Sequence, residues 1–397
     1  MGKNADELSL LGYGCMRFPR KLGAIDMEKT EQQIVRAIAG GVNYFDTAYM
    51  YPGNEKALGT VLAVIEEGVS RRSKVKIATK LPMIMTNSRA DMEKFFKTSL
   101  ERLQTDYIDY FLLHSINSLP DWNKMKEMGV EDFIREKLEN GSIKNIGFSY
   151  HGNLHDFKNI IDDYPWDFCQ IQFNYLDEYF QAGREGLDYA AQKGIGVIIM
   201  EPLRGGMLID KMPPEAKKAI DSYNKENDIG YTPAEWGLRW VFNHPGVTSV
   251  LSGMNVDEHI DENIRIASEA TPNSLSEDDL AMIDRVKEIF QSAIKVPCTG
   301  CSYCMPCPAG VNIPQCFAMY NNKFLFPSVQ NSVRYYMQLE GVIAKPSLAS
   351  MCKKCGQCEK HCPQEIPIME KLDDVAKTME SAFLRTIVRL AVKIMRK

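Results

Sequence analysis

Nowhere in its 397 residues does the chain carry an apolar run long enough to cross a bilayer. It has no excess of positive charge either. Lys and Arg number 47 against 52 Asp and Glu, a formal net charge of −5. Binding to nucleic acid needs a concentrated basic surface, so that class of partner is excluded. The opening residues, MGKNADELSLLGYG, lack the basic-then-apolar order of a secretory signal, and Asp6 stands where N-myristoylation needs Ser or Thr. Together these readings predict a soluble, cytoplasmic protein without a transmembrane segment. Cysteine is nearly missing from the first 297 residues, where only Cys15 and Cys169 occur. No disulfide framework is available there, and both thiols read as core residues. No G-x-G-x-x-G follows the first strand candidate, which weighs against an open doubly wound dinucleotide sheet.

Eight short β-branched and aromatic runs are present instead. They read LLGYGCM, VNYFDTA, KVKIATK, YIDYFLLH, KNIGFSY, FCQIQFN, GVIIMEP and TSVLSGM, from Leu10 to Met254. Helical patterns such as MEKTEQQIVRAIAGG, ADMEKFFKTSLERL and TPAEWGLRWVFNH separate them. Eight strand–helix repeats over this length predict a parallel (β/α)8 barrel, an α/β fold of ~250 residues, here 1–270. A linker helix is expected at 271–295, with Ser276 as its cap. A small, mostly helical domain should follow over 296–397. Its last stretch, ESAFLRTIVRLAVKIMRK, is basic and amphipathic by period and would pack on that domain or dock a partner or a membrane surface.

The other nine cysteines crowd into Cys298–Cys362. The second group, CKKCGQCEKHCP, places Cys352, Cys355, Cys358 and Cys362 before Pro363. This is the C-x2-C-x2-C-x3-C-P run of bacterial ferredoxins. The first group, CTGCSYCMPCP, places Cys298, Cys301, Cys304 and Cys307 before Pro308, one residue shorter. Three thiolates at three-residue spacing wrap one [4Fe–4S] cubane, and the fourth ligand must come from elsewhere. In two-cluster ferredoxins the fourth cysteine serves the other cluster. The expected sets are Cys298, Cys301, Cys304 and Cys362 for one cluster, and Cys352, Cys355, Cys358 and Cys307 for the other. Structural zinc is the competing reading for C-x2-C pairs. Cys316 stands as a substitute ligand or a buried core thiol.

Three ionisable residues sit at or near the ends of consecutive strand candidates: Asp46, Lys80 and His114. Tyr51 follows in the loop after Asp46. Barrel strand ends converge on one face, where active sites are built. Each residue also has a plainer role available. Asp46 could cap a helix, Lys80 could be a solvated loop lysine, His114 a structural histidine and Tyr51 a turn residue.

The segment DTAYMYPGNE, Asp46–Glu55, resembles the Asp-Thr-Ala-x-x-Tyr-x-x-Glu stretch of the aldo/keto reductase family, with one extra residue in the turn. Thr79-Lys80, Leu113-His114, QFN at Gln172–Asn174 and EWGLRW at Glu235–Trp240 resemble it too, so the likeness spans Leu10 to about Asn263. The resemblance implies nicotinamide-dependent reduction of a carbonyl substrate. Tyr51 would be the proton donor, Lys80 would lower its pKa, Asp46 would hold Lys80, and His114 would position the carbonyl oxygen. It also implies cofactor contacts from Gly14, Met16 and Arg17 after the first strand, and from Ser149 and Gln170 at the carboxamide. Met200, Pro202, Leu203, Gly205 and Gly206 would follow at the nicotinamide and diphosphate. Gly253, His259, Glu262 and Asn263 would lie on the adenine side. Gly253 and His259 replace the Lys and Arg that typically grip a 2′-phosphate, so the cofactor is NADPH or NADH without a strong preference.

Clusters move single electrons and nicotinamide moves hydride, so the two exchange only through a mediator. A flavin or a redox partner protein would supply one. Alternatively the clusters are structural. A different class of function is an electron-transfer or assembly subunit whose barrel is a scaffold or holds a flavin. An intact set of Asp46, Tyr51, Lys80 and His114 argues against it.

Overall fold

The computed structural model describes residues 6–66, 68–328, 330–340, 346–381 and 384–386. The basic helix expected at the C-terminus lies almost wholly outside these residues. Among the described residues no helix is long and apolar enough to cross a membrane. The chain divides into two compact units. One takes the chain up to Leu208 together with Gly230–Leu280, and the other takes Ile209–Ile229 and the chain from Ala281 onward. The segment 209–229 carries no compositional mark of this. Its helix, Pro214–Glu226, is amphipathic like its neighbours in the sequence.

In the first unit eight parallel strands close into a barrel: β1 (Leu11–Gly14), β2 (Tyr44–Asp46), β3 (Lys76–Leu81), β4 (Ile108–Ile116), β5 (Ile143–Tyr150), β6 (Phe168–Gln172), β7 (Gly196–Met200) and β8 (Val247–Ser252). Each pairs with its neighbour in sequence, and β8 pairs with β1 through Leu11–Val250 and Tyr13–Ser252. All eight fall within or beside the runs read from the sequence. Alternate residues of a strand share a face, and this places the site. Tyr44, Ala78, Tyr110, Phe168, Ile198 and Leu251 form an apolar cluster. Tyr110 lies between Tyr44 and Phe168, edge-on to both, at ring separations of 5.4 and 5.2 Å. Moving up one side-chain layer on β2, β3 and β6 brings Asp46, Lys80 and Gln170 onto the same inward face. The aromatic layer is thus the floor of the space those residues enter.

The helices start where the sequence supplies caps. Asp26 accepts from Lys29 N at the start of α1 (Met27–Ala39). Ser88 does the same for Asp91 N ahead of α3 (Arg89–Leu103). Helix α2 (Asn54–Leu62) starts one residue beyond the turn that carries Tyr51, after Gly53 at φ 81°. It packs against α3 through Gly59. A Cβ on Gly59 would run into the carbonyl of Arg102 and the backbone of Leu103.

The second unit is helical. Helix α4 (Glu277–Gln291) crosses the division near Leu280 and is capped by Ser276, which accepts from Asp279 N at 3.1 Å. Helices α5 (Ile313–Leu325), α6 (Gln330–Leu339) and α7 (Ile368–Met379) enclose a core that includes Phe317, Tyr335, Tyr336 and Leu372. Cys316 is fully buried in that core, 3.8 Å from the Tyr335 hydroxyl. Cys15 and Cys169 are fully buried in the barrel unit.

Gly59→Ala should cost about 1–3 kcal/mol by overpacking the α2–α3 contact. The measurement is the urea midpoint of unfolding with its slope unchanged. An unaltered midpoint would show that the two helices separate freely.

Candidate functional site

A desolvated ion pair forms the centre of the barrel site. Lys80 Nζ lies 2.5 Å from Asp46 Oδ1, and both side chains are buried. The ammonium donates a second hydrogen bond to the Thr47 carbonyl at 2.7 Å. Gln170 Nε2, from across the barrel on β6, donates to the other Asp46 oxygen at 3.0 Å. Burial works against the Lys80 charge. The Asp46 charge, Tyr51 and the hydrogen bond to Asp46 outweigh it, so its pKa rises. The ammonium is therefore permanent at neutral pH.

Tyr51 closes over this pair, with Lys80 Nζ 5.3 Å from its ring centroid. Its ring meets that of His114 edge-on at 6.0 Å. The four residues singled out in the sequence thus stand together. Burial raises the Tyr51 phenol, and the Lys80 charge pulls it down without overcoming the burial. Lys80 thus lowers the phenol as expected, but the net shift is upward because the ring has lost its water and the Asp46 charge raises it as well. His114 is held neutral. Burial first, then the Lys80 charge, pushes it down to about 3. Its Nδ1 is buried with no hydrogen-bond partner among the described residues.

Around this centre the expected cofactor residues fall into three groups. Ser149 is buried at the end of β5 and its hydroxyl accepts from Ser115 N at 2.8 Å. Gln170, read as a carboxamide ligand, has turned its amide group onto Asp46. The β7 loop is sharply turned, with Gly205 at φ 65° and Gly206 at φ 91°. The exposed Arg17 side chain lies across it: its guanidinium fills the space a Cβ on Gly205 would need, and its Cδ is 3.0 Å from where one would stand on Gly253. Arg17 therefore joins the loops after β1, β7 and β8. Gly14 runs beside the Ser252 carbonyl. Met16 is exposed, Met200 is half-buried at the end of β7, and Pro202 and Leu203 follow, with Leu203 against Gly237. On the β8 side, Asn263 donates to Ser252 Oγ at 2.9 Å, Glu262 accepts from Thr232 Oγ1 at 2.7 Å, and His259 is exposed.

Of two supporting carboxylates, Asp177 went unread in the sequence and Glu55 was read only as the close of the Asp46–Glu55 segment. Asp177 takes both arms of the Arg204 guanidinium at 2.6 and 2.8 Å, with Gln172 Nε2 and Asn174 Nδ2 on the same carboxylate. The signal was slight: an Asn three residues ahead of an Asp, whose Oδ1 accepts from Asp177 N in a turn. Glu55 is buried, accepting from Thr79 Oγ1 at 2.7 Å and pairing with Arg102 at 3.1 Å.

In the second unit the two cysteine runs share one backbone path. Positive φ occurs at Gly300 and Ser302 in the first run and at Lys354 and Gly356 in the second, 54 residues on. After the shorter first gap the offset becomes 55, and Gly310 and Glu365 match in the same way. In both runs the N–H two residues past the first cysteine points to its sulfur: Gly300 to Cys298, and Lys354 to Cys352 at 3.4 Å. The loops curl so that backbone donors face sulfur, as a multiply charged cluster requires. Cys298, Cys301, Cys304 and Cys362 line one cavity with Ile313, Phe317 and Ile366. Around a single zinc, thiolates at ~2.3 Å from the metal would crowd to under ~4 Å from one another. Among the described residues no three such donors close on one ion.

Residues 10–288 match the model of the aldo/keto reductase family, and residues 297–367 match that of a 4Fe-4S dicluster domain. The chain belongs to the aldo/keto reductase family. It is similar to an L-galactose dehydrogenase from Arabidopsis thaliana, 25% identical, over 72% of this chain and 93% of that protein. A probable voltage-gated potassium channel subunit beta from the same plant is 23% identical over 75% of this chain and 97% of its own length. Among solved structures, an aldo-keto reductase from Bacillus halodurans in its holo form shares the fold, with TM-score 0.55 at 24% identity over 70% of this chain and 92% of that one. The protein is thus an oxidoreductase whose barrel is followed by an iron–sulfur domain that these relatives' matched lengths do not include.

His114 should stay neutral in the folded reductase from pH 8 down to pH 5, read by NMR of its ring. An unfolded imidazole takes up a proton below pH ~6.5, whereas the folded ring does so only near 3. The folded state therefore loses stability as pH falls through that window, and His114→Gln should remove this share of the loss. A ring that titrates near 6.5 in the folded protein would refute the assignment.

Proposed function

We propose that the barrel reduces a carbonyl compound using a nicotinamide dinucleotide, and that the second unit holds two [4Fe–4S] clusters. The observation that carries the first part is the convergence of Tyr51, Lys80, Asp46 and His114 on one face above a closed aromatic floor. Bound in its reduced form, the nicotinamide supplies hydride to the carbonyl carbon. The rest of the chemistry belongs to the side chains. His114, neutral, directs a ring N–H at the carbonyl oxygen and polarises it. Tyr51, kept protonated by burial, gives its proton to that oxygen as negative charge develops. The Lys80 ammonium offsets the phenolate left behind, and Asp46 with Gln170 keeps that ammonium in place. Arg17 and the Gly205-Gly206 turn form the cradle for the diphosphate, where close backbone approach is needed.

The adenine side supports weak discrimination between NADPH and NADH. Arg265 is committed to Glu235 at 2.6 Å and Glu269 at 3.2 Å, and Arg204 to Asp177. Neither is placed to replace the cations missing at Gly253 and His259.

The assignment of Cys298, Cys301, Cys304 and Cys362 to one cluster is supported by their shared cavity. Cys307, Cys352, Cys355 and Cys358 would hold the other. A mediator, flavin or partner protein, would be needed for electrons to pass between the clusters and hydride chemistry. The intact set of Asp46, Tyr51, Lys80 and His114 weighs against the alternative of a barrel that serves only as a scaffold.

Tyr51→Phe should leave the fold intact and slow single-turnover hydride transfer to a simple aldehyde by ~100–10,000-fold. Full activity in that variant would overturn the assignment. Anaerobically prepared protein should contain about eight irons and eight labile sulfides, as two cubanes require. Cys355→Ser should lose about half of each. Zinc without sulfide would reject the cluster reading.

A further inference from the structure

We propose that the surface around Cys355 is the port through which the clusters exchange electrons, and that its partner is a small acidic one-electron carrier protein. This rests on the two-cluster reading above. The two cysteine runs follow the same backbone path, so they can be compared position by position. Both bring a cysteine to the surface: Cys301 and Cys355 are exposed. They differ in charge. The first run, from Cys298 to Gly310, holds no charged residue at all. The second, from Cys352 to Cys362, holds Lys353, Lys354 and Lys360 against one acidic residue, Glu359. Lys353 stands where the first run has Thr299, and Lys354 where it has Gly300.

The environment of these charges leaves them facing outward. Lys353, Lys354, Lys360 and His361 are exposed. Lys354 pairs with Asp373 at 2.7 Å. Lys353 and Lys360 have no ion pair among the described residues. Glu359 is half-buried and turned inward, its Oε1 accepting from Met369 N at 2.9 Å. Two exposed lysines with no ion pair among the described residues, Lys353 and Lys360, thus stand two residues before and five after the exposed Cys355, on a chain whose net charge is −5. A general partner for an acidic protein would not need them. An acidic carrier that must reach within tunnelling distance of Cys355 would. Complementary charge of this kind speeds encounter and fixes orientation, and it weakens with salt. The transfer moves one electron from reduced carrier to cluster, with no bond made or broken and no proton moved.

The test uses the full chain loaded with its clusters and a chemically reduced acidic ferredoxin as probe, followed by stopped-flow bleaching. The second-order rate should fall at least tenfold between low and high salt. Lys353→Glu with Lys360→Glu should lower the low-salt rate about tenfold or more and flatten the salt dependence. Thr299→Glu, the matching change on the uncharged run, should alter it less than twofold. Reduction by dithionite should be equal in all three, showing that the clusters are intact. A salt-independent rate, or an equal loss in Thr299→Glu, would overturn the port. Iron and sulfide far below eight in the parent protein would instead overturn the cluster reading beneath it.

Discussion

The ion pair between Lys80 and Asp46 is the constraint around which the barrel site is organised. Two charges removed from water at this depth are tolerable only when each is fully satisfied. The structure meets that demand with Thr47 and Gln170, so one carboxylate ties together β2, β3 and β6. Removing either charge would strand the other, a loss typically of ~3–5 kcal/mol for a buried pair. The same pair sets the electrostatics of its neighbours. Burial keeps His114 neutral with the ammonium adding to it, and the ammonium partly offsets the rise that burial gives the Tyr51 phenol. A reaction that ends with an anion on oxygen needs a fixed cation nearby and a proton donor that is still loaded. Under the proposed reduction, Lys80 would be that cation and Tyr51 that donor.

The second unit solves a different problem by repetition. Each cysteine run must bend so that three sulfurs and several N–H groups face one point, which requires left-handed backbone at fixed places. Glycine meets the requirement at Gly300, Gly310 and Gly356. Ser302, Lys354 and Glu365 meet it without glycine, at a cost of about 1–2 kcal/mol each. That such residues stand at matched positions in both runs indicates that the loop shape outweighs local preference. The charge on the two loops is free to differ because Thr299, Lys353 and Lys354 are exposed.

Much of this was legible beforehand. The eight strands, the cap at Ser276 and the buried thiols follow from local chemistry, which acts over a few residues and leaves a pattern in the sequence. The convergence of Asp46, Tyr51, Lys80 and His114 was legible because barrel topology brings strand ends together whatever the intervening loops do. Other features left no such trace. Gln170 reads equally well as a cofactor ligand or as a prop for Asp46. Arg204 reads as a free cation until Asp177 is seen to hold both its arms. The helix Pro214–Glu226 reads as part of the barrel, although it groups with the second unit.

By itself, then, the sequence determined the barrel and the cysteine-rich domain, because both are written in spacing and periodicity, and its resemblance to a family named the candidate reacting groups. Only the tertiary structure decided which of those groups are charged, which are already engaged, and which cysteines face a common cavity. Those properties depend on distances between residues far apart in the chain and on the water excluded between them. Neither quantity has a local signature. The raised pKa of Tyr51 is the clearest case: the sequence names the lysine that should lower it, but the burial that wins belongs to the fold.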